Sequence, residues 1–171
     1  MADLITLIGT TEEPGASAAV LARGYEARPM AMSDTDAVGS LYFAAYDPGE
    51  ACFTLDEAVA DVAVSLDGDY GPFWAEASPV IGREGQVVAA VMTVRRAPWD
   101  ETPDCPFIIE VFTDRAHRRR GLARFGIEWC LRIVREAGET AVALRVMDDN
   151  TPALALYESL GFIRWQLVQH G

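Results

Sequence analysis

Apolar positions along the chain follow two periods, and each predicts a kind of element. Leu55, Val59, Val62 and Leu66 recur at helical spacing behind Thr54, which reads as a helix start. The clearest helical stripe is Leu122, Phe125, Trp129, Cys130, Ile133 and Ala137, which predicts a helix over about 119–137. Gly138 follows it, where a left-handed C-terminal cap belongs. A third stripe, Ala153, Leu156, Tyr157 and Leu160, begins at Asn150 or Thr151 with Pro152 in its first turn and ends at Gly161. Ser33-Asp34 looks like a cap for one more helix, over 35–46.

Other apolar runs have no helical period. Val87 to Arg95 is apolar on both faces, which marks a central strand covered on both sides. Phe107 to Thr113 and Ala141 to Met147 are strands of the same kind, and Tyr25 to Met32, Pro79 to Arg83 and Phe162 to Val168 complete the set. Asp47-Pro48-Gly49 and Glu84-Gly85 read as turns, and 97–106, with three prolines, reads as a loop. The order is βααβββαβαβ, a mixed α/β fold in one domain spanning 1–171. Polar, turn-rich Thr11 to Ser17 predicts that residues 1–24 form a loosely attached arm.

Composition narrows the function. Half of the 171 residues are apolar, enough for a packed core. No apolar run is long enough to cross a bilayer, and no basic stretch precedes the short apolar run at the N-terminus, so neither a membrane span nor a secretory leader is expected. Three cysteines at irregular spacing give no disulfide framework and point to a cytoplasmic setting. With two histidines, no metal site is expected. A net charge of −12 disfavours nucleic acid and anionic membrane; it either draws a cationic substrate or serves solubility.

One segment departs from that acidity. Arg115, Arg118, Arg119, Arg120 and Arg124 lie within ten residues, between a buried strand and the longest predicted helix. Main-chain N–H groups at a helix start lack partners, and the helix dipole adds positive potential. Gly121 and Ala123 leave room for close approach, so the geometry suits a phosphate or diphosphate. No Gly-Lys-Ser/Thr follows, so it is not a Walker loop. The bland reading is a solvated basic helix start.

Arg118-Arg119-Arg120-Gly121-Leu122-Ala123 resembles the Gln/Arg-x-x-Gly-x-Gly/Ala signature of the GNAT acyltransferase superfamily. Asn150-Thr151-Pro152-Ala153-Leu154-Ala155-Leu156-Tyr157-Glu158-Ser159-Leu160-Gly161-Phe162 resembles its second signature, Asn-x-x-Ala-x-x-Leu-Tyr-x-x-x-Gly-Phe, at every defined position. Read alone, this second stretch is equally an amphipathic helix with Asn150 as cap and Tyr157 in the core. The resemblance implies a mostly antiparallel sheet of about six strands, splayed between the fourth and fifth and flanked by about four helices. It implies acetyl-CoA as acyl donor, an amine of a small molecule or peptide as acceptor, and no metal.

The implied roles fall on particular residues. Arg118, Arg119, Arg120, Gly121, Leu122, Ala123 and Arg124 would hold the diphosphate, chiefly through backbone amides. Val111, Phe112 and Thr113 would offer backbone groups to the pantetheine arm and thioester, with Asn150 beside it. Tyr157 would protonate the departing thiolate. Glu110 is the candidate base or proton relay, or else a structural partner for an arginine, and a bulge would decide which face it takes. Tyr46, Glu50, Phe73, Trp74 and Trp99 are candidates for the substrate wall. Many relatives carry proline where this chain has Arg115, and most carry one more strand after the one at Phe162. Leu4 to Ile8, or a second subunit in a homodimer, would fill that edge. A non-catalytic acyl-CoA sensor and an arginine-mediated docking protein are the other readings of these residues.

Overall fold

The computed structural model describes residues 1–11, 20–47, 50 and 52–166. Its strands are β1 (Leu4–Thr10), β2 (Tyr25–Pro29), β3 (Pro79–Arg83), β4 (Gln86–Val94), β5 (Phe107–Thr113), β6 (Ala141–Met147) and β7 (Ile163–Arg164). Its α-helices are α1 (Thr35–Ala45), α2 (Leu55–Leu66), α3 (Leu122–Glu136) and α4 (Thr151–Ser159). The strands form one sheet in the order β2-β3-β4-β5-β6-β1-β7. Neighbours are antiparallel except β5 and β6, which run parallel.

β4 is covered on both sides, as its unbroken apolar run requires. Val91 faces a cluster with Ile127, Cys130 and Val134 of α3 and Tyr157 of α4. Ala90 and Met92 face another with Val38, Leu41 and Tyr42 of α1 and Ala58 and Val62 of α2. Small residues set the spacing. A Cβ on Gly126 would come within 2.7 Å of the Val91 side chain, and one on Gly39 within 2.7 Å of the Val59 Cα, so the Val91 side chain seats against the backbone of α3 and α1 meets α2 almost backbone to backbone.

Parallel pairing of β5 with β6 is limited to Phe107 with Ala143 and Ile108 with Leu144. Beyond Ile108 the strands separate. On its other edge β5 stays paired with β4, but the register shifts between Met92 and Thr93 and leaves Ile109 as an extra residue. The result is a sheet that opens between β5 and β6, as expected from the resemblance.

Three expectations are corrected. The opening segment is not wholly a loose arm: Leu4–Thr10 is a strand in seven-residue register with β6, because Ile5, Leu7 and Ile8 all pack against core clusters. It fills the edge that Leu4 to Ile8 was expected to fill, and it brings the sheet to seven strands. Residues 12–19, most of the TEEPGAS stretch, lie outside the described residues, as do 48–49 of the expected turn. The last strand is Ile163–Arg164, paired to Leu7 and Ile8, and 167–168 of its expected span are also outside them. Finally, β2 stops at Pro29, after which Asp34 accepts the Ala31 N–H (2.8 Å) and pairs with Arg28 (2.7 Å) to start a one-turn helix. Among the described residues no helix is long and apolar enough to cross a membrane.

Candidate active site

The loop after β5 is anchored before it is exposed. The Asp114 N–H donates to Val88, and its side chain accepts from Ala116, fixing a single 3-10 turn over Arg115–His117. The expected helix start at Arg119 is then displaced to Leu122. Arg119 (φ 64°) and Gly121 (φ 73°) are both left-handed, and that turn is incompatible with helix. Gly121 is the N-cap but has no side chain to cap with, so the first-turn N–H groups point outward without a side-chain acceptor. A Cβ at Gly121 would meet nothing within 4 Å, so the space above these donors is open. Leu122 is buried and can contribute only its main chain.

The five arginines are not one cluster. Arg118 donates to the Ala45 carbonyl at the end of α1 (2.7 Å), and Arg115 pairs with Asp47 just beyond. Arg124 donates to Ser159 Oγ (2.9 Å) and lies 3.6 Å from Glu128, which ties α3 to α4. Arg119 and Arg120 are exposed. They and the uncapped amides face outward, while Arg115, Arg118 and Arg124 are tied to neighbouring elements.

Glu110 stands where the sheet opens. Because Ile109 is extra, Ile108 and Val111 both face the α3 cluster, while Phe112 packs on Tyr42 of α1 (5.4 Å between ring centres). Glu110 is turned toward α1, where the Tyr46 hydroxyl donates to its Oε2 (3.2 Å). Its partner is thus a tyrosine, not an arginine. Burial pushes its pKa up to about 7; hydrogen bonds from Tyr46 and Tyr42 oppose the rise, and Asp61 adds to it. The Tyr46 hydroxyl is pushed well above the usual phenol range, first by burial and then by Glu110.

Tyr157 approaches from the far side of the opening. Its ring is buried, 5.9 Å from that of Phe162. Burial, then the Glu110 charge, raise its pKa to about 12, so it stays protonated at neutral pH. Asn150 caps α4 by accepting the Ala153 N–H (3.3 Å). Phe162 lies against Gly9 of β1, where a Cβ would come within 2.9 Å of its ring. Past Ile108, the β6-facing edge of β5 at Val111, Phe112 and Thr113 has no strand beside it among the described residues.

The other wall candidates divide. Trp74 is buried beneath the Arg95 guanidinium (3.6 Å), and Phe73 bridges to Val94; both serve packing. Glu50 accepts the Asp47 N–H (3.1 Å). Trp99 is part-exposed, between Phe107 and Tyr70. Sequence reasoning missed Tyr42, Asp61 and the Tyr70–Asp61 hydrogen bond (2.6 Å). The four-residue spacing of Tyr42 and Tyr46 within the helix expected over 35–46 was the available signal, although the structure ends α1 at Ala45 and leaves Tyr46 extended just beyond it.

The geometry defines a class first: a single α/β sheet that opens between two strands, with an uncapped helix start, a hydrogen-bonded carboxylate and a buried phenol around the opening. Comparison with known proteins then gives the family. The model of the acetyltransferase (GNAT) family matches residues 45–162, and the chain belongs to that family. It is 29% identical over 112 residues to human N-acetyltransferase 8, covering 64% of this chain and 46% of that protein. A GCN5-related N-acetyltransferase from Sphaerobacter thermophilus superposes with a TM-score of 0.72 at 19% identity, over 96% of this chain and 49% of that one. The aminoglycoside N-acetyltransferase AAC(6')-Iy, in complex with CoA, superposes with a TM-score of 0.65 at 20% identity, over 89% and 98% of the two chains. The chain thus spans about half the length of the human and Sphaerobacter relatives.

Proposed function

We propose that this chain is an N-acetyltransferase that moves an acetyl group from acetyl-CoA to a primary amine of a small molecule or peptide, by direct attack in a ternary complex. The observation that carries the proposal is Glu110, held at a pKa of about 7 where β5 and β6 part and electrostatically coupled to Tyr157. The residues fit the donor. Outward N–H groups from Arg119 to Arg124, open room above Gly121 and the exposed Arg119 and Arg120 suit a diphosphate. The unpaired edge of β5 suits an extended amide-bearing arm.

Acetyl-CoA would supply a thioester carbonyl open to attack by nitrogen. An ammonium group cannot attack until it loses a proton, and Glu110 takes that proton directly or through water. As charge grows on the carbonyl oxygen, the N–H of Phe112 or a neighbour donates to it. The Tyr157 hydroxyl donates to the departing sulfur. The acidic surface favours a cationic acceptor. Cys52, Cys105 and Cys130 are all free, which supports a reducing, cytoplasmic setting. A homodimer through the exposed β7 edge completes the proposal, and sedimentation would test it.

The test is release of free thiol from purified protein, acetyl-CoA and a panel of amines. Release that depends on the amine supports the proposal. CoA binding with no release from any amine would favour a sensor of the same fold.

A further inference from the structure

A second charged side chain stands at the opening opposite Glu110. Phe107 and Ala143, paired across β5 and β6, share one cluster; Ile108 and Leu144, the next pair, share the cluster beneath α3. Alternation along β6 therefore puts Arg145 on the Phe107 face, away from α3. Its guanidinium lies there over the Trp99 ring, 5.2 Å from the centre, and Trp99 itself packs on Phe107 (5.6 Å) and Tyr70 (6.3 Å). The bulge at Ile109 turns Glu110 toward the same face, where it meets Tyr46 and feels Asp61. One step past the last pair on β6 and two steps past it on β5, a guanidinium and a carboxylate flank the opening.

Arg145 differs from the arginines that hold the fold. Arg28, Arg96, Arg115 and Arg124 each pair with a carboxylate. Arg145 has no carboxylate partner among the described residues, although 26 acids face 14 bases in the chain. The Trp99 ring backs the guanidinium, and among the described residues its N–H donors make no hydrogen bond. Held beside an aromatic ring, those donors are available for two parallel bonds to a carboxylate. Thr6, opposite Arg145 on β1, adds a hydroxyl on that face.

We propose that the acceptor carries a carboxylate close to its amine, as in a free amino acid, and that Arg145 binds this carboxylate. The inference rests on the acetyltransferase reading above. Opposite charges then orient the acceptor, with its ammonium toward Glu110 and Asp61 and its carboxylate toward Arg145. One ammonium proton passes to Glu110, and the nitrogen lone pair forms the N–C bond to the acetyl carbon. The C–S bond breaks with its electron pair on sulfur, which takes the Tyr157 proton. The second nitrogen proton leaves to solvent as the amide forms, and the tyrosine is reprotonated from Glu110. The products are an N-acetyl acid, free CoA thiol and one proton.

The test compares free amino acids with their carboxamides and their decarboxylated amines as acceptors, by thiol release, in the wild type, Arg145→Ala and Arg145→Lys. The free acid is expected to exceed its carboxamide in kcat/KM by about tenfold or more. Arg145→Ala should remove that advantage, with a larger fall for the free acid than for the carboxamide; Arg145→Lys should restore part of it. Thermal melting checks that both variants fold, and the lysine variant keeps the comparison valid if the alanine variant does not. Carboxamides as good as acids, or equal losses on both in the variants, would overturn the role of Arg145 and leave the acetyltransferase reading intact. No thiol from any acceptor would remove both.

Discussion

At the scale of single residues, the account turns on two protons. Glu110 is protonated below about pH 7, because burial raises its pKa, and a protonated carboxyl cannot act as a base. The expected kcat/KM therefore falls about tenfold per pH unit below that value and levels off above it. Glu110→Gln should remove this limb along with most of the activity. Stability moves the other way. The folded-state pKa lies above the ordinary 4.5, so the folded protein holds more protons between pH 4.5 and about 7 and loses stability as pH rises through that window. The Gln variant escapes this loss, so its melting temperature should exceed that of the wild type by more at pH 8 than at pH 5. Tyr157→Phe keeps the buried ring and removes only the hydroxyl, so kcat should drop about a hundredfold with little change in melting temperature. Tyr157 was legible in the sequence because a contiguous motif carries it. Glu110 was legible only as a position, since the extra Ile109 decides its face and a bulge leaves no local mark. Its partner Tyr46 is 64 residues away, beyond the reach of any local pattern.

At the scale of elements, two glycines set geometry. Gly121 holds a left-handed conformation at the start of α3, with open space around its missing Cβ. Gly121→Ala should cost about 1 kcal/mol of stability from backbone strain and raise the KM for acetyl-CoA several-fold, as kinetics and urea unfolding would show. Gly39→Ala is a different case. Alanine favours helix by about 1 kcal/mol over glycine, but its methyl would sit 2.7 Å from the Val59 Cα. A backbone atom cannot rotate away, so overpacking should win and urea unfolding should show a loss of about 1–3 kcal/mol. The helices and central strands were legible because their periods are long and regular. β1 was legible only in part: the polar, turn-rich stretch after it suggested a loose arm, while the missing last strand marked Leu4 to Ile8 as one candidate for the open edge of β6.

At the scale of the molecule, the family resemblance placed the opening between the strands that are β5 and β6 here, and its two signatures fell on either side of it. The arginine cluster was overread as a unit. Its members are divided among α1, α4 and the exposed loop only once the chain is folded. The proposed acceptor face was hardest to read, since it draws on α1, α2, β5, β6 and the loop carrying Trp99, which are spread along the chain from Thr35 to Met147. The central claim is that uncapped amides around Gly121 bind the diphosphate of CoA. Titration calorimetry with CoA and with pantetheine tests it most directly. The account predicts that CoA binds about a hundredfold more tightly than pantetheine, and that Gly121→Ala narrows the gap. Equal affinities for the two, or no binding of CoA, would contradict it.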